Sequence, residues 1–177
     1  MPVKKIAPDF PTGGEGLPYR PCVGIMVVNR DGLVWIGKRD DGNGASDYEY
    51  VWQMPQGGID AGEDIKKAAL RELYEETSIS TVEVIGETDG WLAYDYPPEV
   101  IAASRRAQKY RGQAQKWYAV RFHGEDSEIN IATPPDGHDA EFCEWKWERA
   151  DRLPGLIVPF KRGVYKQVVD AFSHLTA

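Results

Sequence analysis

The sequence predicts an α/β sandwich, built from a mixture of strands and two principal helices. Runs rich in β-branched and aromatic residues recur from Cys22 to Ala150 and are typical of strands. A run of good helix formers extends from Glu63 to about Thr77. Apolar residues recur at helical spacing after Pro159, which indicates a second helix packed on the sheet. Strands and helices mixed in this way favour a layered α/β fold.

The length and composition indicate one globular domain. The chain has 177 residues, of which 42% are hydrophobic and 28% are charged, enough for a substantial core. Residues 1–17 are rich in proline, glycine and charge and are predicted to form a flexible N-terminal arm, so the single domain spans residues 18–177. The start lacks the apolar segment of a secretion signal, and no apolar run approaches membrane-spanning length. A cytoplasmic protein without membrane contact is expected.

Charge and cysteine usage exclude several kinds of site. The net charge of −7 argues against indiscriminate coating of nucleic acid. Cys22 and Cys143 match no metal or redox spacing and lie in strand-like apolar stretches, so buried reduced thiols are predicted. The three histidines are scattered and suggest no zinc site. Residues 100–122 contain no acid and six bases, Arg105, Arg106, Lys109, Arg111, Lys116 and Arg121. This segment is either a solvated basic loop or a phosphate-facing rim.

The first half of the chain is predicted to lead through a hairpin into a glycine-rich loop. Two β-rich runs, Cys22 to Val28 and Leu33 to Lys38, flank an Asn-Arg-Asp-Gly turn. Residues Asp40 to Tyr48 hold several glycines and polar side chains and are predicted to form a surface loop. The short run Val51 to Pro55 predicts a strand that delivers the chain to Gly57.

The second half of the chain is predicted to complete the sheet and to end in a helix. Val82 to Tyr94 predicts one bent strand or two short ones, and Pro97 opens a segment with the composition of a short helix. Gly112 to Phe122 and Cys143 to Ala150 alternate as strands do. The final helix is indicated by the spacing of Val164, Val168, Ala171 and Phe172.

The stretch GGIDAGEDIKKAALRELYEETSI, from Gly57 to Ile79, concentrates the acids that carry chemistry. Successive helical residues turn by about 100°, so Glu72, Glu75 and Glu76 share one side of the helix. The same side carries apolar residues, which places these carboxylates toward the interior. Three like charges crowded at this spacing repel one another unless a cation lies among them. Carboxylate oxygens at this density suit Mg²⁺ or Mn²⁺.

The same stretch resembles the motif of the Nudix hydrolases. The pattern GX5EX7REUXEEXGU, with U a bulky aliphatic residue, maps onto Gly57, Glu63, Arg71, Glu72, Leu73, Glu75, Glu76 and Ile79. A glutamate-rich surface helix that matched by accident would have to satisfy all eight positions. One position departs, because Ser78 stands where the motif has the glycine that closes the helix with positive φ. Serine there is expected to cost about 1 kcal/mol or to shift the helix end. The resemblance implies a mixed β-sheet sandwiched between helices.

Motifs outside this helix refine the resemblance. The stretches YRPCVGI, VWQMPQGGI, GQAQKWY, EFCEWKW and VPFKRGVY resemble bacterial RNA pyrophosphohydrolases and dinucleoside polyphosphate hydrolases, including the plant-type diadenosine tetraphosphate enzymes. The resemblance covers Tyr19 to Phe172. It implies that the carbonyl of Gly57 and the carboxylates of four glutamates hold the metal, namely Glu72, Glu75, Glu76 and Glu141. Without the family, Glu141 has the alternative of an ordinary surface acid.

The resemblance also implies the residues that meet the substrate. Arg20 and Arg39 correspond to phosphate contacts, and Lys161 to a contact with phosphate or base. Phe160 corresponds to a platform for a base, or alternatively to a core aromatic that anchors the last helix. Further positions that line the family's cleft are Gln53, Gln56 and Lys116, and Gln56 has the alternative of a loop-stabilising amide.

Two catalytic roles follow for the motif helix. Glu72 is favoured as the general base, with Glu76 or Glu141 as alternatives. Arg71 is predicted to hold a carboxylate in place by a bidentate pair, for which Glu63 is a candidate.

The function expected from these observations is Mg²⁺-dependent removal of pyrophosphate from the 5′ end of triphosphorylated RNA, with activity on dinucleoside polyphosphates. An alternative is an enzyme that acts mainly on diadenosine tetraphosphate, favoured by the long segments Asp40 to Tyr50 and Pro97 to Arg111. Another alternative is a catalytically inactive nucleotide-binding regulator, against which the complete set of acids argues. The expected partner is the nucleic-acid or nucleotide substrate, and no obligate protein partner is evident.

Overall fold

The computed structural model describes residues 9–11, 16–39, 51–105 and 107–177. The strands are β1 (Tyr19–Val28), β2 (Val34–Arg39), β3 (Trp52–Gln53), β4 (Gln56–Gly58), β5 (Val82–Glu87), β6 (Leu92–Asp95), β7 (Gly112–Phe122) and β8 (Phe142–Glu148). The α-helices are α1 (Ile65–Thr77), α2 (Pro98–Ala103) and α3 (Arg162–Ala171). Short 3-10 turns connect several of these elements.

The strands form one mixed sheet around a parallel central pair. Its main path runs β3-β2-β1-β7-β5, while β4 pairs with β1, β6 with β7 and β8 with β2. The β1 and β7 strands are parallel over their length, from Tyr19 opposite Gly112 to Val28 opposite Arg121, and the other pairs are antiparallel. Because this central pair is covered on both faces, β1 is an almost continuous buried apolar run.

The two faces of the sheet pack against different helices. Val23 and Ile25 of β1 belong to the core cluster that includes Leu73 of α1. Met26, on the opposite face of β1, belongs to the cluster that includes Val168 of α3. Strand side chains alternate between faces, so one strand supplies both cores. The sheet therefore lies between helices, and the predicted α/β architecture is confirmed.

Helix α1 is defined by a polar cap at each end. The side chain of Asp64 accepts a hydrogen bond of 3.0 Å from the backbone N–H of Lys67, a standard N-cap. At the other end Ser78 takes the left-handed conformation, with φ 66°, and its N–H donates to the Tyr74 carbonyl. The Ser78 hydroxyl donates to the Asn130 carbonyl at 3.1 Å. Serine thus closes the helix where the motif has glycine, without moving its end.

Several predicted elements agree with the structure, and one prediction was wrong. The first hairpin is present, and residues 82–94 contribute two short strands, not one bent strand. Cys22 is buried as predicted, but Cys143 is exposed, because it lies on the outer face of β8 while its neighbour Phe142 packs inward. Among the described residues, every helix is too short or too polar to cross a membrane.

Two predicted segments fall largely outside the described residues. The surface loop predicted from Asp40 to Tyr48 is one of them, as are residues 1–8 and 12–15 of the N-terminal arm. Within that arm, Phe10 is buried, and its ring centroid lies 4.7 Å from that of Trp91. The Trp91 indole N–H donates to Asp9 at 3.3 Å.

Candidate active site

A polar cleft of about 460 Å³ opens where α1, the β4 strand and the segment before α3 meet. Acidic side chains from α1 line it together with aromatic and basic side chains from other elements. Most of the residues singled out in the sequence line this cleft, namely Arg20, Arg39, Gln53, Gln56, Gly57, Glu72, Glu76, Glu141, Phe160 and Lys161. The fold therefore brings together residues from six separate parts of the chain.

The two glycines of β4 allow side chains to lie directly on the strand. A Cβ at Gly57 would overlap the carboxylate of Glu72, and a Cβ at Gly58 would overlap the guanidinium of Arg20. Both glycines pair with β1, which fixes their backbone in place. Glycine is needed at these positions because any side chain would displace the two charged groups that flank the cleft.

Arg71 organises the acids of α1. Its Nε and Nη2 atoms donate to the two carboxylate oxygens of Glu63 at 2.7 and 2.8 Å, which is the bidentate pair considered in the sequence. Its Nη1 atom donates to Glu72 at 3.0 Å and to Glu75 at 3.2 Å. Its Nη2 atom also donates to the Gly58 carbonyl at 3.0 Å. One guanidinium thus joins the motif loop to two of the acids predicted to hold metal.

Glu76 is the most deeply buried of these acids. Its exposed fraction is 8%, and within the described part of the chain its Oε2 atom has no hydrogen-bond partner. Burial raises the pKa of Glu76 well above its usual value, and the neighbouring carboxylates of Glu72 and Glu141 raise it further. Burial also raises the pKa of Glu72. A buried carboxylate oxygen without a donor, close to two further acids, is a group that a cation stabilises.

Glu75 lies beside the cleft and bonds to two basic groups. Besides Arg71, its carboxylate contacts the Nε2 atom of His138 at 3.4 Å. In the part of the chain that the structure describes, no three His, Cys, Asp or Glu side chains enclose an ion as they stand. The carboxylates of Glu72 and Glu75 do not enclose an ion because both bind the Nη1 atom of Arg71. A divalent ion would compete with this guanidinium for both acids.

Phe160, Lys161 and Tyr94 form another part of the cleft lining. The Phe160 and Tyr94 ring centroids are 5.7 Å apart, and Phe160 also packs against the core on the α3 face. Phe160 therefore packs on the core and also lines the cleft, while its role as a platform for a base stays a prediction. Burial lowers the pKa of Lys161 to about 8, and the nearby Arg39 lowers it as well. Two cations thus line the same cleft as the acids and interact electrostatically with Glu76.

A hydrogen-bonded network of glutamines lies beside the aromatic residues of the cleft, and two of its members, Gln113 and Gln115, were missed in the sequence. Gln115 donates to Gln56 at 2.8 Å and to Gln113 at 2.9 Å, and it accepts from the Trp117 indole N–H at 2.9 Å. Gln113 in turn donates to the Tyr96 hydroxyl at 3.4 Å, and Tyr94 and Tyr96 line the cleft. The alternation of GQAQKWY was a usable indication, because it places two glutamines on one face of a strand.

Lys116 does not reach this cleft, which differs from the expectation for it. It lies between Gln115 and Trp117, so its side chain points to the other face of β7. There its ammonium group donates to the Thr88 carbonyl and lies 3.6 Å from the Glu87 carboxylate. Other bases of the same stretch also bond within the chain: Arg111 pairs with Asp95 at 3.0 Å, and Arg121 donates to the Asn29 carbonyl at 2.7 Å.

Comparison with known proteins identifies the family. Residues 18–168 match the NUDIX domain. The chain belongs to the Nudix family. The chain is 57% identical over 163 residues to the RNA pyrophosphohydrolase of Rhodopseudomonas palustris strain CGA009, covering 92% of this chain and 96% of that protein. It is 54% identical over 176 residues to the RNA pyrophosphohydrolase of Brucella ovis, covering 94% of this chain and 97% of that protein.

Solved structures share the Nudix fold at low identity. The chain superposes on the E. coli dihydroneopterin triphosphate pyrophosphohydrolase with a TM-score of 0.61 at 18% identity, covering 86% of this chain and 97% of that one. It superposes on a C. elegans Ap4A hydrolase complex with a TM-score of 0.60 at 17% identity, covering 88% and 98%. These likenesses identify the Nudix architecture of the chain, with its mixed sheet between α1 and α3.

Proposed function

We propose that this Nudix pyrophosphohydrolase removes pyrophosphate from the 5′ end of triphosphorylated RNA with the help of Mg²⁺. The cleft supports this function because acids and basic groups line the same cavity. The observation that carries the proposal is the buried carboxylate of Glu76, whose Oε2 atom has no hydrogen-bond partner among the described residues and which lies within electrostatic range of Lys161 and Arg39. The RNA substrate is proposed from the relatives at 54–58% identity that carry the name RNA pyrophosphohydrolase.

The acids of α1 are the proposed metal ligands. Nudix enzymes generally use a divalent cation, and Mg²⁺ suits this donor set, with Mn²⁺ able to replace it. Glu72, Glu75 and Glu76 would hold it together with Glu141 and the Gly57 carbonyl. When bound, the ion supplies charge neutralisation for the phosphates and a water of lowered pKa. Arg71 would keep Glu72 and Glu75 oriented, since it bonds both of them and the loop.

The basic side chains of the cleft form the proposed phosphate site. Lys161, Arg39 and Arg20 all line the cleft, and cations placed there would stabilise the charge that develops as the anhydride breaks. Phe160 would offer its ring to a base. In the reaction, water adds to a phosphorus atom and the bridging P–O bond breaks. The products are pyrophosphate and an RNA with a 5′ monophosphate.

Glu72 is the favoured general base, with Glu76 and Glu141 as alternatives. Burial raises the pKa of Glu72, whereas the charge of Arg71 and its hydrogen bond lower it. The net result is a pKa above the usual value of a glutamate, which makes Glu72 a stronger base than an exposed carboxylate. Its fixed position over Gly57 would hold it against the reacting water.

The test uses triphosphorylated RNA with Mg²⁺ and follows pyrophosphate release and formation of 5′-monophosphorylated RNA. Glu75→Gln and Glu76→Gln are each expected to lower kcat/KM at least ~100-fold, because each removes a proposed ligand charge. Glu83→Gln is the matched control, since it changes an exposed acid on β5. Activity of both variants within a few-fold of the parent protein would contradict the metal site. No cleavage of RNA by the parent protein would contradict the substrate.

The same assay tests dinucleoside polyphosphates as a second substrate class. Diadenosine tetraphosphate carries the same anhydride linkage, so the proposed acids would serve both reactions. A higher kcat/KM for diadenosine tetraphosphate than for RNA would reverse the assignment of the main substrate. An RNA-processing role also implies a cytoplasmic location, which fractionation of cells that express a tagged chain would test.

A further inference from the structure

A second groove opens next to the cleft, beyond Tyr96. It has a volume of about 510 Å³ and is lined by residues 16–17 together with side chains from α2 and the loop that follows it. Tyr96 and Ala107 line both cavities, so they form the boundary between cleft and groove. A chain bound in the cleft can therefore continue into the groove past the boundary that Tyr96 and Ala107 form.

The groove collects apolar groups that the protein leaves in water. Three large apolar side chains are exposed in the described part of the chain, and two of them, Leu17 at 46% and Ile101 at 38%, line this groove. Tyr110, half-buried, adds an aromatic ring to the same surface. Exposed apolar groups gathered in one place are typical of a binding surface.

The charge around the groove favours a polyanion. Arg105 and Lys109, from the loop after α2, are both exposed. The acid of the groove, Asp95, is paired with Arg111 at 3.0 Å and accepts a hydrogen bond of 2.7 Å from Tyr19. Residues 97–110 contain one acid, Glu99, and three bases, Arg105, Arg106 and Lys109, so this segment carries a net positive charge although the whole chain carries −7.

The backbone frame of the groove continues the central strand pair. Arg20 and Gln113 line the cleft and are opposite each other in the parallel register, and the preceding pair joins Tyr19 to Gly112. Beyond it, the Arg111 N–H donates to the Pro18 carbonyl at 3.0 Å, and the Tyr96 N–H donates to the Arg111 carbonyl at 2.8 Å. These bonds fix the position of the groove relative to the cleft.

We propose that this groove binds the nucleotides of the RNA strand that follow the 5′-terminal one. The proposal rests on the proposed function, which places the 5′ phosphates in the cleft. Proteins bind single-stranded RNA by stacking its nucleobases on aromatic and apolar side chains, while nearby lysine and arginine side chains contact its phosphates. Leu17, Ile101 and Tyr110 supply the contact surface for nucleobases. Arg105 and Lys109 supply the charge for the phosphates between them.

The first test compares substrates of different length. Ile101→Ser and Lys109→Glu are each expected to lower kcat/KM about tenfold for a triphosphorylated RNA of about five nucleotides. A tenfold effect is about the size expected for the loss of one stacking contact with a nucleobase. Hydrolysis of the matching nucleoside triphosphate is expected to change less than about twofold, since a mononucleotide ends before the groove. Tyr74→Ser and Lys166→Glu are the controls, because they remove an exposed aromatic and an exposed base elsewhere.

Three outcomes of this comparison would overturn the proposal. An unchanged kcat/KM for RNA in both groove variants would show that the strand does not use the groove. An equal loss for RNA and mononucleotide would show that the substitutions act through the cleft. An equal loss for RNA and diadenosine tetraphosphate would show that the groove holds a second nucleoside instead.

The second test does not depend on hydrolysis. A triphosphorylated RNA with a photoreactive 4-thiouridine as its third nucleotide is irradiated with the full-length chain, and the crosslinked peptides are mapped by mass spectrometry. Crosslinks within residues 101–111 are expected. Crosslinks confined to other regions, or none at all, would overturn the proposal that the groove binds RNA. If the parent protein does not hydrolyse RNA but still crosslinks at residues 101–111, the proposed function fails and the groove stands.

Discussion

Gly57 lies so close beneath Glu72 that a Cβ at position 57 would overlap the Glu72 carboxylate. Gly57 is held in β4 by its pairing with Val23 of β1, so the strand cannot withdraw to make room. The contact joins the loop before α1 to the helix itself. It fixes the distance between Glu72, the proposed general base, and Gly57, whose carbonyl is a proposed metal ligand.

Gly57→Ala is therefore expected to lower kcat/KM about 100-fold, because misplacement of a reacting group by about 1 Å has an effect of this size. Thermal unfolding and circular dichroism should show that the variant remains folded. Gly90→Ala is the matched control, since no atom lies within 4 Å of the Cβ it would add. Activity of Gly57→Ala near that of the parent protein would contradict the proposed position of Glu72 in the reaction.

Burial of Glu76 leads to a prediction about stability. Since the folded state raises the pKa of Glu76 above 4.5, it holds this proton more tightly than the unfolded state does. The free energy of unfolding of the metal-free protein should then fall as the pH rises from about 4.5 through the folded pKa. Glu76→Gln removes the ionisation and should flatten this part of the curve. At pH 8 the metal-free variant is expected to be more stable by about 1 to 3 kcal/mol.

Urea unfolding in a chelator at several pH values measures this effect, with Glu83→Gln as the exposed control. The order should reverse when Mg²⁺ is added, because the parent protein gains binding energy that the variant lacks. If Glu76→Gln is less stable than the parent protein in the chelator, burial of a charged carboxylate is not what limits stability.

The sequence predicted the motif helix well because its information is local. The spacing of the glutamates placed them on the inner side of α1, and the motif glycine placed Ser78 in a left-handed conformation. The Tyr94 and Gln113 pairing could not be read in the same way, since it depends on the register of two strands that are distant in sequence. Lys116 is a different case, because the local alternation along β7 that places Gln113 and Gln115 on one face places Lys116 on the other.

Lys161 provides a prediction about the pH dependence of activity. Burial lowers its pKa from 10.5 to about 8, so it is protonated below that pH and loses its charge above it. If it binds a phosphate as proposed, kcat/KM should fall as the pH rises through about 8. Lys161→Met should lower kcat/KM about 100-fold at pH 7 and should lack this fall, since no titrating amine remains.

The pH profile of kcat/KM for triphosphorylated RNA, recorded between about pH 6 and pH 10, measures both effects. Lys166→Met, on the exposed side of α3, should keep the profile of the parent protein. A fall of the same size and midpoint in Lys161→Met would assign the titration to another group.

Ser78 gives a prediction that separates helix closure from catalysis. Its φ of 66° favours glycine, while its hydroxyl donates to the Asn130 carbonyl at 3.1 Å. Ser78→Ala and Ser78→Gly both lose this hydrogen bond, but only alanine keeps a Cβ in the left-handed conformation. The glycine variant should therefore be more stable than the alanine variant by about 1 kcal/mol in urea unfolding. Because Ser78 contacts none of the proposed ligands, kcat/KM should change less than about twofold in both. Equal stability of the two variants would mean that the left-handed conformation carries no cost at this position.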